Sequence, residues 1–195
     1  MRSLSLSVLF LFLVAPVVRA AKWENVLGQP LGVCDRSKAH DPNPNFAATG
    51  YERNNQCTSN APDAGSHYVC VDLPAGQQDS EKDPAWSNFW TETGQASDKA
   101  DAQQSFPKPG PWCICMWAFA DMLSQHPNFK SLLDCPAVNK WVVERYDSNN
   151  SRECKALVAV CDQCGVGGSS VPEALSSKCK EAKSKCGGSF LSSFS

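Results

Sequence analysis

Trp112-Cys113-Ile114-Cys115-Met116-Trp117-Ala118-Phe119-Ala120-Asp121-Met122-Leu123 is the densest apolar segment of the chain, and its two halves follow different periods. The first part alternates as a strand does, whereas Met116, Phe119, Ala120 and Leu123 recur at helical spacing. The segment therefore predicts a short strand running into a helix that ends before Pro127, placed at the centre of the core. Working outward, residues 66–72 read as a partner strand, and residues 141–146 supply a further regular segment of open type. Asp83-Pro84 opens a short helix whose Trp86, Phe89 and Trp90 form an apolar stripe before Gly94. That spacing favours core packing over an exposed tryptophan platform for a sugar ring. Residues 95–105 hold almost no large apolar side chain and read as a polar loop. The class that follows is α+β, a small mixed sheet with packed helices.

The N-terminus reads as a leader. Arg2 precedes an apolar run over residues 4–18 that is short for a bilayer, and Val18 and Ala20 suit a signal-peptidase site after Ala20. No later stretch is apolar for long enough to span a membrane, so the expected destination is outside the cell or a secretory lumen. The formal charge of −2 includes Arg2 and Arg19, so the mature chain is more acidic still, which argues against nucleic acid as a partner. Eleven cysteines in an oxidising compartment read first as disulfides, and the odd count leaves one over, permitting a disulfide-linked dimer. The disulfide candidates are Cys34, Cys57, Cys70, Cys113, Cys115, Cys135, Cys154, Cys161, Cys179 and Cys186.

Composition divides the mature chain into a main domain at 21–147 and a C-terminal module at 148–195. The module has no Trp or Tyr and five cysteines. At the junction, Asn149-Asn150-Ser151 is a glycosylation sequon with Asn149 as acceptor. Asn150 with Glu153, and Ser170 with Glu173 around Pro172, read as capping boxes of two helices ended by Gly165 and Gly187. Cys154 and Cys161 are two helical turns apart on the first stripe, as are Cys179 and Cys186 on the second. An antiparallel hairpin would then join Cys154 to Cys186 and Cys161 to Cys179. Cys164 either joins the main domain or stays free. Lys178, Lys180, Lys183 and Lys185 give the second helix a basic side, read as a solvated face before a surface for an acidic partner.

On a strand, Cys113 and Cys115 share a face, which suits two disulfides with partners elsewhere. A zinc site would draw on Cys70, Cys113, Cys115 and His67, but only Cys161 and Cys164 have paired ligand spacing, so no metal and no cofactor is assigned. For thiol chemistry, the weak catalytic candidates are Cys70, Cys113 or Cys115 with His67 as activating base, and with Asp63 or Asp72 orienting the imidazole. The bland reading of Gly65-Ser66-His67 is a tight turn, with Asp63 before it. His40 lies in a Pro- and Asn-rich loop, and His126 at a helix end, where a cation favours the dipole. No phosphate loop, metalloprotease helix signature or nucleophile elbow is present in the sequence. The leading expectation is a disulfide-stabilised binding module of unknown partner. The alternative is a thiol-dependent redox protein or enzyme.

Asn25-Val26-Leu27-Gly28 with Pro30-Leu31 and Cys34, Thr49-Gly50-Tyr51 with Arg53 and Cys57, Gly65-Ser66-His67 with Val69-Cys70, and Trp112-Cys113-Ile114-Cys115 occur in the order of one known pattern. Over residues 23–125 the chain resembles the family called domain of unknown function 2237. The resemblance implies a compact α+β domain with no assigned reaction and transfers no catalytic residue. The chain lacks a doubled cysteine near Cys57, a Gly-Asn-Asp stretch before the Trp-Cys motif and a Thr-His pair after the next helix, three features usual in bacterial members.

Overall fold

The computed structural model describes residues 23–37, 39–59, 63, 65–74 and 89–187. The leader at 1–20, Asp83-Pro84, Trp86 and the tail beyond Gly187 lie outside the described residues. Two strands, β1 (Val69–Leu73) and β2 (Gly110–Ile114), pair antiparallel with Cys70 opposite Cys113 and Val71 opposite Trp112. Short helices α1 (Phe89–Glu92) and α2 (Lys99–Ser105) precede β2. β2 runs directly into α3 (Met116–Gln125), as the change of period predicts. The segment of open type is a short helix, α4 (Trp141–Arg145), and two longer helices follow, α5 (Ser151–Gln163) and α6 (Glu173–Cys186). The architecture is α+β with a disulfide-linked helical pair at the C-terminal end.

Residues 99–105 are helical where the composition reads as loop. Asp98 caps α2 by accepting from the Asp101 amide, and Ala102 alone is buried, so a local cap holds a helix that has no apolar stripe to announce it. Phe89 and Trp90 are buried as expected of core residues, Phe89 stacking on Phe129 and Trp90 on Phe106.

The C-terminal helices share one core with the rest. Phe119 and Met122 of α3, Leu157 and Val160 of α5, and Cys179 and Ala182 of α6 lie in the same buried cluster as Tyr68 and Val69. Asn150 caps α5 through the amides of Arg152 and Glu153. Glu153 reaches back to the Asp147 amide and not to Asn150, so the box is only half formed. At α6 the cap position is Pro172 with no side-chain bond, and Ser170 does not serve as the cap. Gly28 in the first motif segment has φ +74°, and a β-carbon there would stand 2.4 Å from Pro172, so the loop presses on the start of α6. The basic side of α6 is largely engaged within the molecule: Lys183 pairs with Asp162, Lys185 with Glu181, and Lys178 donates to the Glu144 carbonyl.

Candidate functional site

Five disulfides form the frame: Cys34–Cys70, Cys57–Cys113, Cys135–Cys164, Cys154–Cys186 and Cys161–Cys179. The two within the helical pair are the ones the seven-residue spacing anticipates. Cys164 joins Cys135 and ties α5 to the main body. The remaining cysteine is Cys115, which is reduced and buried. This corrects the expectation that Cys115 belongs to a disulfide, and of the two alternatives open for Cys164 it is the bond to the main domain that is realised. The cause is local: β2 ends at Ile114 and α3 begins at Met116, so Cys115 is the helix N-cap and no longer shares the strand face of Cys113.

Cys115 does have a partner. Its sulfur lies 3.4 Å from Nε2 of His67, and Nδ1 of the same ring lies 2.8 Å from Oδ1 of Asp63. Asp63 is placed by its own turn, accepting the Gly65 amide on Oδ1 and the His67 amide on Oδ2, with its side chain only 2% exposed. The turn reading and the orienting reading of Asp63 are thus both realised by one side chain. Ser66 takes φ +49°, and its carbonyl accepts the amides of Tyr68 and Met116. That hydrogen bond fastens the histidine turn to the first residue of α3.

The carboxylate facing Nδ1 is an acceptor, so the ring carries its proton on Nδ1 and leaves Nε2 free to accept the thiol proton. Burial first, and the charge of Asp63 second, push the Cys115 thiol from an ordinary 9.0 up to about 12, while hydrogen bonds from its own backbone amide and the Trp117 side chain act in the opposite sense. At rest Cys115 is therefore a neutral thiol facing the imidazole, and not a thiolate. A thiol in this state becomes nucleophilic when the base removes its proton during attack, the logic of a hydroxyl–imidazole–carboxylate triad. The first amides of α3 have no acceptor within the helix, which puts a partial positive charge beside the sulfur.

Two shallow clefts border these residues. One, of about 230 Å³, is lined by Gly50, Tyr51, Arg53, His67, Trp112 and Cys113. The other, of about 250 Å³, includes Gly65, Ser66, Met116, Trp117 and Arg145. Tyr51 and Trp117 are among the few large apolar side chains left exposed among the described residues.

The other thiol candidates fall elsewhere. Cys70 and Cys113 are locked in disulfides and cannot act as nucleophiles. Asp72 lies on exposed β1 backbone, where its charge, after burial, helps to raise the Asp134 carboxyl, so it is not the orienting group. The sulfurs of Cys34, Cys57 and Cys113 lie within 4.8 Å of one another, but all are disulfide sulfurs packed side by side and offer no thiolate to a metal. His126 pairs with Glu92 across from α1. Asn149 is exposed, in keeping with a sequon at the surface. No helix among the described residues is long and apolar enough to cross a membrane. The sequence offers the parts of the triad but not their assembly, because the choice among three cysteines is made by disulfide pairing at long range.

No known family's profile matches the chain, and no curated protein matches it.

Proposed function

We propose that this is a secreted cysteine-dependent enzyme of acyl transfer or hydrolysis, with Cys115 as nucleophile, His67 as general base and Asp63 as the group that orients the imidazole. One observation carries the reading: ten of eleven cysteines are paired, and the one left reduced stands 3.4 Å from a histidine anchored on a buried aspartate. The absence of a second thiol among the described residues favours acyl chemistry over dithiol redox chemistry, which needs a resolving cysteine.

In the reaction, the Cys115 S–H proton passes to Nε2 as the sulfur attacks the acyl carbon. The negative charge on the acyl oxygen develops at the N-terminal end of α3, where the Met116 amide is already taken by the Ser66 carbonyl. The bond to the leaving group breaks, His67 returns the proton to it, and a thioester remains on Cys115. Water, deprotonated by His67, then releases the carboxylic acid and restores the thiol. Of the five disulfides, Cys34–Cys70 and Cys57–Cys113 tie loops to the two strands beside the site. They also support export through an oxidising lumen, with the leader at residues 1–20 as its signal. The resemblance to domain of unknown function 2237 belongs to the same proposal, since its Gly65-Ser66-His67 and Trp112–Cys115 segments supply both reacting groups.

The test is acetylation by p-nitrophenyl acetate, read by intact mass and peptide mapping without reductant. One acetyl group on Cys115 is expected, absent in Cys115→Ser and formed about 10²-fold more slowly in His67→Ala. Native protein that stays unmodified and releases no p-nitrophenolate above the spontaneous rate, while the denatured chain is acetylated at Cys115, would refute the proposal.

A further inference from the structure

We propose that the acyl donor carries a negatively charged group, a carboxylate, seated in the cleft formed by Arg53, Trp112 and Tyr51 next to His67. This inference rests on the proposed nucleophile and extends it to substrate class.

Arg53 has no carboxylate partner among the described residues, and its guanidinium lies 5.2 Å over the ring of Trp112. A second guanidinium, that of Arg36, lies 4.8 Å over the same ring, and Arg36 is itself neutralised by Asp41 at 2.7 Å. Arg36, Arg53 and Asp41 put one more cation than anion around Trp112, and after burial the charge of Arg53 also acts unfavourably on Arg36. His67 and Tyr51 are the other titratable groups lining the cleft. An incoming anion therefore relieves a repulsion as well as gaining a charge-assisted hydrogen bond.

The loop that presents Arg53 is built to hold it. Arg53 and Asn55 take φ +53° and +61°, conformations rare for residues other than glycine. Hydrogen bonds pin them: the Arg53 amide to the Gly50 carbonyl, the Asn55 amide to the Thr49 carbonyl, and the Thr49 amide to the Asn55 side chain. Thr49 accepts the Cys113 amide through its hydroxyl, and Cys57 just beyond the loop is bonded to Cys113. The cationic loop is thus tied to the strand that ends one residue before the nucleophile, as a specificity element must be to keep register with the reacting atom. In the neighbouring cleft the balance differs, because Glu153 stands with Arg145.

The experiment compares two probes on the full mature protein, the thiophenyl monothioester of succinic acid and its methyl ester. Acylation of Cys115 is followed by mass. The carboxylate probe is expected to react about tenfold faster or more, a margin that shrinks with added salt. Arg53→Met is expected to abolish the margin by slowing the carboxylate probe, and Arg145→Met to leave the margin intact. Equal rates for the two probes on the native protein, or a margin that survives Arg53→Met, would overturn the inference while the nucleophile stands. Failure of both probes to acylate Cys115 would remove the nucleophile, and this inference with it.

Discussion

Gly65 lies so close to Cys115 that a β-carbon on the glycine would stand 2.8 Å from the sulfur, and 2.6 Å from Cε1 of His67. Its missing side chain is what lets imidazole and thiol meet. Gly65→Ala should therefore separate them: the ring, held on its other side by Asp63, has to swing away from the sulfur. Because the strained atoms are side-chain ends, the cost in stability should stay near about 1–2 kcal/mol in urea unfolding. The acetylation rate of Cys115 should nonetheless fall about 10²-fold. A variant that unfolds normally and still reacts at the native rate would show that the contact does not matter for reactivity.

The raised thiol sets a pH signature. A group whose pKa is higher in the folded than in the unfolded chain favours the folded state while protonated, and that contribution is lost as pH rises from the unfolded value near 9.0 towards about 12. Wild type should lose more thermal stability across this window than Cys115→Ser. The buried Tyr146, also shifted upward, first by burial, is common to both proteins and cancels in the difference. Parallel melting curves for the two proteins from pH 8 to 11 would mean that the thiol is not buried as a neutral group. Simple alkylation by iodoacetamide should likewise keep accelerating with pH beyond 9 and show no plateau at neutral pH.

How far the sequence foretells this arrangement differs from part to part. The strand-to-helix switch at Cys115 and the helical pair at the C-terminus are legible because each writes a hydrophobic period over two or more turns. Helix Lys99–Ser105 is not, since one buried alanine gives no period and its stability comes from the Asp98 cap. His67 could be named as a base with Asp63 or Asp72 as its orienting group, and Asp63, four residues before it in one turn, is the one that faces the ring. Which cysteine faces them could not be named, because alternation carried one residue too far puts Cys115 on the face of Cys113. The helix start that turns it away is a matter of one dihedral pair, and the pairings that consume Cys70 and Cys113 reach back across 36 and 56 residues.

Arg36 should prove a keystone of the reactive strand. Its guanidinium is buried and donates to Asp41, to the carbonyls of Phe46 and Lys108, and to that of Pro111 on β2. Arg36→Met leaves Asp41 buried without its counter-charge and three carbonyls without a donor, for an expected loss of about 3–5 kcal/mol in denaturant unfolding. Arg36→Lys should recover little of it, because one ammonium cannot replace the planar fork. Full recovery by lysine would show that charge alone, and not geometry, holds this loop.

The Cys135–Cys164 bond makes the last separable prediction. The helical pair has two disulfides of its own and shares the main core, so removal of this third bond should weaken the attachment without unravelling the pair. The bond closes 29 residues, a loop for which chain entropy gives about 3–4 kcal/mol. Cys135→Ala with Cys164→Ala should cost about that much in total stability. The added amide exchange should be concentrated in the last turn of α5 and in Gly165 to Val166, next to the lost bond. Cys115 and His67 lie on other elements, so the acetylation rate below the transition should not change. If the double variant instead loses Cys115 reactivity in the folded state, then α5 packing against α3 positions the nucleophile, and the helical pair is part of the site and not merely its buttress.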